Sequence, residues 1–155
     1  MLKAVKKSKV RGAGGRYALV ASEYNARYVD VMLRHAQAEL ERVGVENVEV
    51  VRVPGAFEIP VVAARLARAT PACAAIICLG VIFQGETSHA QHIGEAVTQA
   101  LAQIQIRSGV PIIHEVLLFT NEEQARVRCL TAKHNRGAEA AQTALKMAAV
   151  MAGLR

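Results

Sequence analysis

Apolar positions along the chain alternate between short β-like runs and longer segments of helical spacing. Tyr17 to Ala21 reads as a strand, and Asn25 stands where a cap for the next helix belongs. That helix runs to about Val43 and puts Val29, Leu33, Ala36 and Leu40 on one face. Val48 to Val53 is a second strand, ended by Pro54-Gly55. A helix then begins near Ile59-Pro60, where proline suits the first turn. Ala75 to Ile82 is a third strand, almost wholly apolar, as expected with both faces covered. His89 to Arg107 is a long helix, Ile112 to Leu118 a fourth strand and Asn121 to Arg128 a short helix. The last helix spans about Gly137 to Ala152.

Strands that alternate with helices join by right-handed crossovers into a parallel sheet with helices on both faces. The pattern therefore predicts a three-layer α/β/α sandwich around a four-stranded parallel sheet. Such sheets bind ligands beyond the carboxyl ends of their strands. Three loops are nominated on that ground: Ser22-Glu23-Tyr24-Asn25, Pro54 to Glu58, and Phe83 to His89.

Composition narrows this picture. The 155 residues suit one domain, residues 16–155, behind a basic arm at 1–15. Apolar residues make up 52% of the chain, aromatics 4%, and Trp is absent, so the core is aliphatic. An aliphatic surplus implies extra buried area, within the fold or between subunits. No apolar run approaches membrane-spanning length, which argues against a membrane protein. The N-terminus lacks the apolar segment of a signal peptide. Cys73, Cys78 and Cys129 are odd in number and match no metal or redox spacing. Reduced thiols in a cytoplasmic protein are the expectation.

The formal charge of +6 belongs to the arm. Lys3, Lys6, Lys7, Lys9, Arg11 and Arg16 all precede the first apolar strand; without them, 13 basic residues face 13 acidic ones. A basic arm can bind phosphate backbones, but no aromatics interleave for base stacking and no DNA-reading helix follows. A solvated terminus, not a nucleic-acid partner, is expected. Gly12-Ala13-Gly14-Gly15 precedes the first strand and does not form a nucleotide loop.

The loop after the third strand carries the most chemistry. Gly85 allows a tight turn, Thr87 or Ser88 can cap the helix, and His89 falls in its first turn. Free N–H groups and the helix dipole suit that spot to a phosphate-like anion, and an imidazole there is a natural proton carrier. The plainer alternative is a capping Ser88 and an ordinary surface histidine. His89 and His92 lie one turn apart, but no third ligand completes a metal site. Phe57 and Glu58 offer an aromatic face beside a carboxylate, fit to stack on a flat heterocycle and accept its N–H protons, or equally a core Phe and a helix-start Glu. Arg126 and Arg128 follow the fourth strand, and Arg suits phosphate.

Five segments together resemble the lumazine synthase family over nearly the whole chain. They are Ser22 to Asn25; Val53 to Pro60; Leu79 to Ile82 with Gly85 to His89; Glu123-Gln124-Ala125 with Arg128; and Asn135-Arg136-Gly137. The resemblance implies a flavodoxin-like sheet. It implies a cofactor-free, metal-free condensation of 5-amino-6-(D-ribitylamino)uracil with 3,4-dihydroxy-2-butanone 4-phosphate to 6,7-dimethyl-8-ribityllumazine, phosphate and water, late in riboflavin biosynthesis. Tyr24 would stack on the pyrimidine where the family usually has Phe or Trp. Ala56, Phe57 and Glu58, with Val81, Ile82 and Phe83, would hold the uracil and ribityl chain. Glu86, Thr87 and Arg128 would bind the phosphate, His89 would shuttle protons, and His114 would line the pocket from a neighbouring subunit.

Some positions depart from the commonest pattern: Phe83-Gln84 replaces a frequent Ile-Arg, Arg136 a Lys, and Ala90 an aromatic. The missing arginine bears on phosphate affinity; the acid–base group is kept. The resemblance also implies a homopentamer. The segment Cys129 to Gly137 lacks an insertion common in members that stop there, which tilts the expectation towards a sixty-subunit icosahedral capsid. Riboflavin synthase is a further implied partner. The alternatives are a non-catalytic lumazine- or flavin-binding relative and a shell-forming subunit, separated by turnover and by particle mass.

Overall fold

The computed structural model describes residues 2–7 and 14–154. Strand β1 (Arg16–Ser22) leads to helix α1 (Ala26–Arg42) and strand β2 (Asn47–Val53). A single 3-10 turn (Ala56–Glu58) opens into α2 (Ile59–Ala67), followed by β3 (Cys73–Phe83) and α3 (His89–Ser108). Then come β4 (Ile112–Phe119), the short α4 (Glu122–Ala125), a wide turn (Arg126–Leu130) and α5 (Arg136–Ala152). The four strands are all parallel, in the order β2-β1-β3-β4. This is the expected three-layer, flavodoxin-like sandwich. Among the described residues no helix is long and apolar enough to cross a membrane.

Alternation along the central strands splits the core in two. Tyr17, Leu19 and Ala21 with Ile77, Leu79 and Val81 face α1 and α5. Ala18 and Val20 with Ile76 and Cys78 face α2 and α3. Strand β3, between β1 and β4, is buried on both faces, which is why it carries no polar side chain. The three thiols are buried and unpaired, and burial pushes those of Cys78 and Cys129 up to about 12.

Helices α1 and α5 approach so closely that only glycine fits at the crossing. A Cβ on Gly137 would stand 1.9 Å from the carbonyl oxygen of Met32. Asn135, fully buried, sets that approach: its Oδ1 accepts from the N–H of Gly137 at 2.9 Å, and its Nδ2 donates to Cys129 O at 2.7 Å.

Two caps differ from expectation. Asn25 occupies the N-cap position of α1 but in the left-handed region (φ 60°, ψ 39°), with no side-chain cap bond. Its amide donates instead to Val81 O at 2.7 Å, because the chain reverses over the end of β3 and that carbonyl lies within reach. Ser88 makes no side-chain cap bond for α3 either. Thr87 Oγ1 supplies a long one, accepting from the N–H of His89 at 3.4 Å. Where it is described, the arm keeps Lys3, Lys6 and Lys7 exposed, but its backbone is held: Val5 donates its N–H to Lys133 O at 2.7 Å, and Gln142 donates to Lys6 O. Lys9, Arg11, Gly12 and Ala13 lie outside the described residues.

Candidate active site

The carboxyl ends of β1, β2 and β3 open onto one cavity of about 770 Å³. Its lining includes Tyr24, Ala56, Phe57, Glu58, Val81, Ile82, Phe83 and His89 from the residues expected at a site. The sandwich topology brings three separate loops to one place.

Local bonds hold each loop. The loop after β1 is pinned to the end of β2, since Glu23 donates its N–H to Val53 O at 2.7 Å and Tyr24 donates to Pro54 O at 2.9 Å. The Tyr24 ring lies over Gly55, where a Cβ would stand 2.9 Å from it. Glu58 Oε2 accepts from the N–H of Gly55 at 3.1 Å, so the carboxylate closes the turn that carries it. Phe57 is not a core residue. It is 63% exposed and Tyr24 68%, two aromatic faces turned outward at the mouth of an apolar cavity. Phe83 packs edge-on to Tyr28 with ring centroids 5.5 Å apart, which fixes the far wall.

The loop before α3 is braced where the expected arginine is missing. Gln84 Nε2 donates to Thr87 O at 2.9 Å and to Gly85 O at 3.3 Å. Glu86 and Thr87 are exposed in this loop, next to the cavity in sequence but outside its lining. His89 follows as the first residue of α3.

Two of the expected residues stand apart. His114 sits on β4, where its Nδ1 accepts the N–H of Val116 at 3.1 Å and its Nε2 lies 2.7 Å from Thr98 Oγ1. The Val116 donor makes Nδ1 an acceptor, so Nε2 carries the proton. Burial lowers the pKa of this imidazole, favouring its neutral form. Arg128 lies in the wide turn after α4, donating to Gln124 O at 3.3 Å. Neither lines the cavity within one chain. The cavity adds Asn25, Gly55, Ala90, His92, Ile93 and Ala96 to the expected set. The helical spacing of His92, Ile93 and Ala96 from His89, three, four and seven residues on, was the available signal for three of them. Among the described residues no three His, Cys, Asp or Glu side chains converge as a metal site would require.

Residues 14–152 match the family described as 6,7-dimethyl-8-ribityllumazine synthase. The chain belongs to that family. A 6,7-dimethyl-8-ribityllumazine synthase of Kineococcus radiotolerans is 43% identical over 147 residues, 94% of this chain and 90% of the relative. Proteins of the same name from Stenotrophomonas maltophilia and Xylella fastidiosa are 40% and 39% identical over 134 and 144 residues. These alignments cover 85% and 92% of this chain, and 86% and 93% of the relatives. Membership in the lumazine synthase family thus rests on residues 14–152 and is independent of the cavity.

Proposed function

We propose that this chain condenses 5-amino-6-(D-ribitylamino)uracil with 3,4-dihydroxy-2-butanone 4-phosphate at the cavity beyond β1, β2 and β3. The observation that carries the assignment to this place is the convergence of Tyr24, the segment Ala56 to Glu58, the segment Val81 to Phe83 and His89 on one space. A flat pyrimidine stacks on Tyr24 or Phe57, while the Glu58 carboxylate accepts from its N–H groups. The strand-end backbone at Val81 to Phe83 orients the ring and the ribityl chain.

The phosphate of the second substrate sits at the loop Gly85 to Ser88, where the start of α3 presents unpaired N–H groups. Glu86 and Thr87 contribute donors there. Arg128 adds a positive charge that stabilises the phosphate as it departs. His89 carries protons between the reacting atoms, since joining an amine to a ketone requires proton transfer and close placement, with no cofactor.

His114 and Arg128 complete the site from a neighbouring subunit of a homopentamer. Their separation from the cavity of their own chain supports this, as do the exposed apolar side chains of Val61, Ile106 and Leu118. The short connection from Cys129 to Gly137, closed by Asn135, favours twelve pentamers in a shell, and the mass in solution distinguishes sixty subunits from five. The catalytic domain is residues 16–155 behind the basic arm, the compartment is the cytoplasm, and riboflavin synthase consumes the product.

The testing experiment supplies both substrates to the purified chain. Lumazine and phosphate should form one to one, and His89→Ala should lower kcat by about 10²–10⁴-fold. Tight binding of lumazine without turnover would make the chain a non-catalytic binder instead.

A further inference from the structure

His92 lines the same cavity as His89. It stands one turn further along α3. Residues three apart on a helix have Cβ atoms about 5–6 Å from each other, so the two imidazoles can meet one bound molecule at two points. The His92 ring is also fixed, with Nε2 3.1 Å from Ser88 Oγ. Ser88 is the N-cap residue of α3 and makes no side-chain cap bond, so its hydroxyl serves His92 instead.

The charged and titratable surroundings are few. Tyr24 and Glu58 enter the cavity from the loops after β1 and β2, and His89 from the same helix. The end of β3 brings only Val81, Ile82 and Phe83. Glu95, one turn beyond His92, is held by Gln91 at 3.0 Å.

We propose that His92 is a second proton-exchanging group of this site, oriented by Ser88. The inference rests on the activity proposed above. Forming an imine from an amine and a ketone moves both amine protons to the carbonyl oxygen, which leaves as water. Losing phosphate is a separate event at another carbon: a carbon-bound proton is taken up as the ester C–O bond breaks. One imidazole serves one of these places at a time; two imidazoles a turn apart serve both.

In the tautomer whose Nε2–H donates to Ser88 Oγ, Nδ1 of His92 keeps its lone pair. It takes each proton from the nitrogen, and the imidazolium gives it to the oxygen, first as the C–N bond forms and then as the C–O bond breaks. Protons balance, and no oxidant or further reactant is needed. His92 thus takes over the imine protons from His89, which, next to the phosphate loop, keeps phosphate departure.

His92→Ala and His92→Gln, compared with the unaltered chain across pH, test this. Glutamine keeps a hydrogen bond to Ser88 but cannot pick up and release a proton. Both variants should lower kcat by about 100-fold, in the range of an acid–base group, with KM for both substrates little changed. Both should lose one limb of the kcat–pH profile, and Ser88→Ala should give a smaller loss. A His92→Gln variant with the original rate would overturn the proposal and make His92 a brace for Ser88. An unchanged profile in His92→Ala would overturn it as well. An unaltered chain that does not turn over would refute the underlying activity, a result distinct from an active chain indifferent to residue 92.

Discussion

The side-chain amide of Asn25 donates to the carbonyl of Val81 across 2.7 Å, joining the loop after β1 to the end of β3. Both residues line the cavity, and Tyr24 sits between this bond and the bond that ties its own N–H to Pro54 O. The aromatic ring is thereby held from both sides of the turn. Asn25→Gly keeps the left-handed backbone and removes only the donor. A neutral hydrogen bond contributes about 0.5–1.5 kcal/mol. The variant should raise KM for the pyrimidine by roughly 2- to 12-fold and leave KM for the phosphate substrate unchanged. Equal increases in both constants would show that the bond supports the fold and not the pyrimidine end.

Arg128 gives the opposite pattern. Losing a hydrogen bond to a charged group costs about 1.5–3 kcal/mol, or roughly 10- to 150-fold in affinity. Arg128→Ala should raise KM for the phosphate substrate by that order and affect the pyrimidine little. Steady-state kinetics with each substrate varied in turn reads the difference.

Gly137→Ala tests the packing of α1 on α5. The added methyl would meet the Met32 carbonyl, a backbone atom that cannot turn aside. Overpacking of this kind costs about 1–3 kcal/mol or more. The melting temperature should fall by roughly 2–12 °C in a chain of this size. A melting temperature equal to that of the unaltered chain would contradict the close approach.

The pH dependence of stability should carry the signature of Glu115 on β4. Burial pushes this carboxyl up to about 7, with the Arg136 guanidinium opposing and Glu139 adding to the rise. A folded-state pKa above the unfolded one means that the native state binds the extra proton. Its contribution is complete below the unfolded carboxylate range and is lost as pH rises through about 7. Glu115→Gln should flatten that part of the stability–pH curve, measured by denaturant unfolding at several pH values.

The sandwich was legible because its signals are local and repeated. Strand β3 is apolar throughout, and α1 shows one apolar stripe. The cavity followed from topology, which sends the loops after β1, β2 and β3 to the same end of the sheet. The exposure of Phe57 was not legible, since an aromatic between Gly55 and Pro60 suits a core as well as a mouth. Nor were the bonds of Asn25 and Ser88: both residues look like caps, but Val81, brought near by the fold, took the amide of Asn25, and His92, one turn along α3, took the hydroxyl of Ser88. His114 entered through family resemblance alone, and Arg128 only as one of two phosphate-suited arginines after β4, because no local pattern links β4 and the turn after α4 to a cavity they do not line.

Co-assembly of two damaged chains tests most directly whether the site is divided between neighbours. His89→Ala and Arg128→Ala subunits, each strongly impaired alone under subsaturating phosphate substrate, are unfolded, mixed in equal amounts and refolded together. In a closed head-to-tail ring with random neighbours, about a quarter of the sites receive an intact His89 from one chain and an intact Arg128 from the next. A divided site gives activity approaching a quarter of the unaltered assembly. Mixed assemblies confirmed by mass that stay as inactive as their parents would contradict it, placing both residues in the service of one chain.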